Sequence, residues 1–140
     1  MLDLAQRVAA TERGTARFRG NPFDWVARRT CIHLARSQGR AMGHKLPPIP
    51  DIRSPTGARR ALAATGHADL ASLLDSLFPR VAPASMWIGD LALMEGADGL
   101  GGIVVAVGGK VMGYHVDHLD LGLVNIVPVG PSPFIGAWRL

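Results

Sequence analysis

One cysteine and one short His/Asp cluster are the residues with which this chain could do chemistry. Cys31 follows Thr30, a good helix N-cap, and precedes an apolar-periodic stretch, so the thiol is expected in the first turn of a helix. Free backbone N–H groups and the helix dipole favour a thiolate there. Nucleophilic catalysis by that thiolate also needs a His to take its proton and a polar residue to orient the ring. The segment Gly113-Tyr114-His115-Val116-Asp117-His118 offers both types. His115 or His118 would be the base and Asp117 or Asp120 the orienting group. Their approach depends on hairpin register, because a one-residue slip turns a strand side chain to the opposite face. His33 stands two positions after Cys31 on the same helix and points away from it.

The same His115-x-Asp117-His118 cluster has zinc-compatible ligand types, but a zinc site needs three or four converging ligands and one short segment supplies these. No metal and no cofactor is expected. Cys31 also has a purely structural reading, as a small buried apolar residue. Gly108-Gly109 reads as a hairpin turn and not a phosphate loop, since no Lys-Ser/Thr pattern follows it.

The elements that must position these residues belong to one domain spanning 1–140. Hydrophobic residues make up 48% of the chain, enough for a core. A single cysteine excludes an intramolecular disulfide framework and a four-Cys zinc site, and points to folding in a reducing cytosol. Asp3 and Arg7 interrupt any apolar N-terminal stretch, so no signal peptide is read there. The longest apolar runs, such as 101–109, are too short to span a bilayer. Residues 1–80 hold 13 Lys/Arg against 6 Asp/Glu, whereas residues 81–140 hold 2 against 5. The basic half could face nucleic acid, but no aromatics alternate with the bases as a stacking platform requires, so nucleic acid is not the expected partner. The charge asymmetry also suits head-to-tail packing of copies in an assembly.

Helices come first and strands later. Leu4 and Val8, with Ala5 and Ala9, outline an N-terminal helix over 1–14. A helical half over 15–80 carries Cys31. It contains a loop to Arg29, a helix with Cys31, Leu34, Ala35 and Gln38 on one stripe, a Pro-rich extended segment at 44–50, a helix opened by Ser54-Pro55, and another from His67 to Phe78. The β half, 85–140, begins at the change of pattern near Trp87. It contains strands at 91–94, 102–107 and 110–114, an apolar stretch at 119–127, and a closing strand within 135–140. This order implies an α+β architecture, with N-terminal helices packed on a C-terminal antiparallel sheet.

Four pieces of the chain carry a family resemblance. They are Pro22-Phe23-x-Trp25 followed by Cys31 at a helix start, Gly89-Asp90-Leu91-Ala92-Leu93, Gly102-Ile103-Val104-Val105, and Ala137-Trp138-Arg139-Leu140. In this order the chain resembles small phage and prophage tail-region proteins related to the NlpC-type, papain-like cysteine peptidases. The resemblance covers residue 15 to the C-terminus. It implies a papain-like fold with Cys31 in the nucleophile position, and a place among the tail-tip or baseplate proteins.

The resemblance also shows what is missing. The catalytic His is implied at the start of the strand that follows Gly89-Asp90-Leu91, where this chain has Leu100 in Leu100-Gly101-Gly102-Ile103. The orienting residue is implied near Met112 or Gly113, and neither can orient an imidazole. The acidic residue implied before the nucleophile is Thr30. The expectation is therefore a catalytically inactive peptidase-like domain. It would be a structural component of the virion tail tip, made in the host cytoplasm, and would contact distal tail and hub proteins in several symmetry-related copies away from any membrane. Aromatics anchor interfaces, which makes Trp87, Phe134 and Trp138 the expected contact residues. The alternative is a cysteine peptidase or amidase acting on host peptidoglycan, with Cys31 as nucleophile and His115 as a displaced base.

Overall fold

The computed structural model describes all residues except Ala97 and Pro131. Among the described residues, four α-helices precede a six-stranded sheet. The helices are α1 (Leu4–Thr15), α2 (Cys31–Ala41), α3 (Pro55–Ala64) and α4 (Leu70–Leu77). The strands are β1 (Arg80–Val81), β2 (Leu91–Met94), β3 (Gly102–Ala106), β4 (Val111–Gly113), β5 (Val124–Ile126) and β6 (Gly136–Trp138). Their order across the sheet is β1-β6-β2-β3-β4-β5, antiparallel throughout. The fold is α+β, with N-terminal helices on an antiparallel sheet.

The helix starts follow local capping chemistry. Asp3 accepts from the Gln6 N–H while the Gln6 side chain accepts from the Asp3 N–H, a reciprocal capping box. Ser54 caps α3, with Pro55 as its first residue. The helix expected from His67 begins three residues later, because Asp69 takes the Ser72 N–H and so fixes the N-cap. The apolar stretch at 119–127 also divides. Val116–Leu121 forms a 3-10 turn and only 124–126 pairs as a strand, with Gly122 between them at φ 77°.

One face of the sheet packs under the helices through Leu91, Leu93, Ile103, Val105 and Trp138, against Leu34, Leu70, Leu74 and Phe78. The opposite face is a smaller cluster of Ala92, Val104, Val111 and Ala137, with Phe134 and Met86 against it. The closing strand β6 lies between the edge strand β1 and β2, and Trp138 is fully buried. Its indole N–H donates to Asp75 at 2.8 Å. This corrects the expectation that Trp138 is a contact residue: its ring is used up by the core.

The N-terminal helix runs against its pattern. Leu4 and Val8 are exposed, and α1 buries Arg7, Ala10, Thr11, Gly14 and Thr15 instead. Polar partners draw that face inward. Gln38 of α2 donates to the Thr11 hydroxyl and to the Gly89 carbonyl, both at 3.1 Å. A Cβ at Gly14 would overlap the Gln38 side chain, so the two helices meet at a glycine.

Candidate functional site

Thr30 is the N-cap of α2, and its hydroxyl accepts from the backbone N–H groups of Ile32 and His33. Cys31 therefore sits in the first turn, as its sequence setting predicts. The chemistry differs from the expectation. Burial pushes the Cys31 thiol up to about 11, outweighing the Ile103, Cys31 and Ile32 N–H groups that favour the thiolate, and Asp98 adds to the rise. Two of the N–H groups at the head of the helix are already engaged by Thr30. The sulfur's polar neighbour is the Gly101 carbonyl, 4.0 Å away, an acceptor that suits a thiol and not a thiolate.

A cleft of about 980 Å³ opens above the sulfur. Its walls near Cys31 include Phe23, Trp25, Leu100 and Tyr114. Phe23 packs edge-on against both Trp25, at 5.6 Å, and Tyr114, at 5.2 Å. The loop holding these rings is anchored by Asp24, which pairs with Arg29 through the backbone and accepts from the Val26 and Ala27 N–H groups. The Tyr114 hydroxyl is buried without a partner, and burial pushes its ionisation up to about 12.

Leu100, at the position where the resemblance implies a His, packs against the main core and lines the cleft. Met112 and Gly113 lie on β4, which pairs with β3 and β5. His115 lines the same cleft as Cys31, but its Nδ1 accepts from the Asp117 N–H at 3.1 Å and caps the 3-10 turn. The Asp117 carboxylate stands 3.9 Å from that nitrogen and His118 packs beside the ring. His115 and Cys31 share the cleft without a hydrogen bond between them. His33 is buried and bonded through Nδ1 to Thr30 Oγ1 at 2.8 Å, with burial and the charges of Arg28, Arg17 and Arg36 pushing its pKa down to about 4. Among the described residues no group of three or more His, Cys, Asp or Glu converges on a possible metal position, and no helix is long and apolar enough to cross a membrane.

A second cluster of functional groups was not legible as such in the sequence. Asp90 is fully buried and accepts four hydrogen bonds, from Arg7, Trp87, Arg139 and Leu140. Arg7 Nη2 donates to its Oδ1 at 2.6 Å, as does the Leu140 N–H at 3.0 Å. Arg139 Nε and the Trp87 N–H each donate to Oδ2 at 2.8 Å. Arg7 completes its own bonding on the carbonyls of Ile88 and Leu140. Trp87 covers the ion pairs from outside, with the Arg139 guanidinium 3.5 Å and the Arg7 guanidinium 5.4 Å from its ring. Its remaining surface is exposed, whereas Phe134 is half-buried on the far face of the sheet. The available signals were Asp90 and Arg139 within two of the quoted motifs, and Arg7 and Thr11 at i, i+4 in the N-terminal helix.

Fold and site together define an α+β protein with a helix-start thiol in an aromatic cleft and a buried carboxylate tying both chain ends to the sheet. Residues 4–138 match the family described as Domain of unknown function (DUF6950), and the chain belongs to that family. No curated protein matches it.

Proposed function

We infer that this is a papain-like domain without peptidase chemistry, acting as a structural component of a bacteriophage tail tip or baseplate through protein–protein contact. The observation that carries the loss of chemistry is the state of Cys31. Burial raises the Cys31 thiol to about 11, Leu100 occupies the sequence position where the resemblance implies a base, and His115 is committed to its own turn. Proton transfer requires a base within hydrogen-bond reach of the nucleophile. The tail-tip role is supported by the order of the motifs around Phe23, Cys31, Asp90 and Trp138, and by Trp87, whose ring keeps about half its surface free beside the Asp90 cluster.

The test is a phage carrying Cys31→Ala. Plaque numbers equal to the parent are expected, together with the protein's presence in purified virions. A Cys31→Ala phage as defective as the deletion overturns the inactive reading. One observation favours the alternative, a cysteine peptidase or amidase on peptidoglycan: Cys31 and His115 line one cleft. That alternative requires a thiol that alkylates near neutral pH and slows in His115→Ala.

A further inference from the structure

The two edges of the sheet are treated differently. An unpaired edge strand is a template for another chain, and proteins blunt such edges with short strands and charges. The β1 edge is blunted. It is two residues long, and Arg80 is held by both oxygens of Asp75, at 2.9 Å each, and lies 5.0 Å from the Trp138 ring.

The β5 edge is also short, three residues followed by Val127-Pro128-Val129, but it lacks the charge that covers β1. Val124-Asn125-Ile126 carries no charge. The chain's own N-terminal half pairs just short of it, where the Leu123 N–H donates to the Phe18 carbonyl and Arg19 bridges Gly122. Among the described residues, no backbone hydrogen bond reaches 124–129 from any element other than β4. Exposed apolar residues flank this edge in the chain: Val116, Leu119, Leu121, Val127 and Val129 are all exposed, Val127 at 68% and Val129 at 81%. Contiguous exposed apolar surface of this kind marks interaction sites. The charge around it has one sign: no Lys or Arg occurs between Lys110 and Arg139, while Asp117 and Asp120 are both exposed.

We propose that the free edge of β5, continued by Val127 and Val129, takes an extended segment of a partner protein that is rich in apolar residues and flanked by Lys or Arg. The edge supplies main-chain hydrogen bonds, the valines and leucines supply apolar contact, and the two aspartates select cationic flanks. A second copy of β5 is the poorer occupant, because pairing two such edges brings four aspartates together. The same valines form the outer wall of the Cys31 cleft, so a bound segment would run along its rim. The inference deepens the assembly reading and rests on it for its biological sense.

The experiment is a titration of isotope-labelled full-length protein with a synthetic Lys-Val-Thr-Val-Thr-Val-Lys peptide, followed by amide chemical shifts, against the same peptide with Glu at both ends. The lysine peptide should shift the amides of 124–129, bind about tenfold or more tightly than the glutamate peptide, and weaken as salt is raised. The double variant Val127→Lys/Val129→Lys, altered only at exposed positions, should lower that affinity by about tenfold. Absent shifts, shifts centred elsewhere, or equal affinity for the two peptides overturn the proposal. The virion separates the two readings. A double variant that no longer binds the peptide but still enters virions overturns the edge proposal alone. Wild-type protein that binds the peptide at β5 but is missing from virions overturns the assembly reading alone.

Discussion

A buried carboxylate cluster and a half-buried thiol cleft have opposite characters in this protein. The Asp90 cluster is charged and densely bonded: each carboxylate oxygen has two donors, Arg7 also reaches the carbonyls of Ile88 and Leu140, and Arg139 that of Ser85. The Cys31 cleft is uncharged at its floor and under-bonded: a protonated thiol faces a carbonyl at 4.0 Å, and a tyrosine hydroxyl has no partner. Burying a charge is tolerable only when it is paired and hydrogen-bonded, whereas a neutral thiol can be buried at little cost. The contrast separates architecture from chemistry. The residues that hold α1, β2 and the C-terminal strand together are fully bonded to one another, while among the described residues no hydrogen bond links Cys31 to an imidazole.

The most severe way to break this contrast is to remove the carboxylate. Asp90→Ala leaves Arg7 buried and unpaired, and a loss of roughly 3–5 kcal/mol is expected in urea unfolding. If Asp90→Ala cost no more than a surface substitution, the cluster would not be the organising element described here. Next in size is an attempt to restore chemistry. Leu100→His places an imidazole on the cleft wall at a packing cost of roughly 1–3 kcal/mol. It should bring the pH midpoint of Cys31 alkylation down from about 11, without creating hydrolysis, because no residue orients the new ring.

Two smaller effects depend on pH. His33 has a folded pKa of about 4 against an ordinary 6.5, so between these values the unfolded chain binds more protons. Stability from this group is present above pH 6.5 and lost as pH falls towards 4. His33→Gln should flatten that part of the acid unfolding curve. Cys31 has the opposite sense. Its folded pKa of about 11 lies above the ordinary 9.0, so the folded protein holds the proton longer. Stability from the thiol is present below pH 9 and declines as pH rises through 11. Cys31→Ala should remove that alkaline decline while changing stability at neutral pH by about 1 kcal/mol or less. The smallest effect is expected of His115→Ala: alkylation of Cys31 should be unchanged. A slower alkylation would mean that the imidazole does reach the sulfur, and would bring the two sites closer in character.

Much of the frame was legible because its signals are local. Thr30 before Cys31, Ser54-Pro55, the prolines at 47–50 and Gly108-Gly109 each act within a few residues, and each produced the element expected. The α4 boundary was missed by three residues because Asp69 outcompeted the apolar periodicity that begins at His67. Trp138 was misjudged for a different reason. It was expected at an interface because aromatics anchor interfaces, but strand order placed β6 between β1 and β2 and buried the ring.

The sequence by itself determined that helices precede strands, that one thiol heads a helix, and that no imidazole stands at the position where the resemblance implies a base. Periodicity, capping and residue identity suffice for those. Only the tertiary structure decided which face of α1 is buried, that Asp90 binds residues 83 positions upstream and 50 downstream, and that burial keeps Cys31 protonated. These depend on the local dielectric and on contacts between distant segments, which no short window of residue types contains.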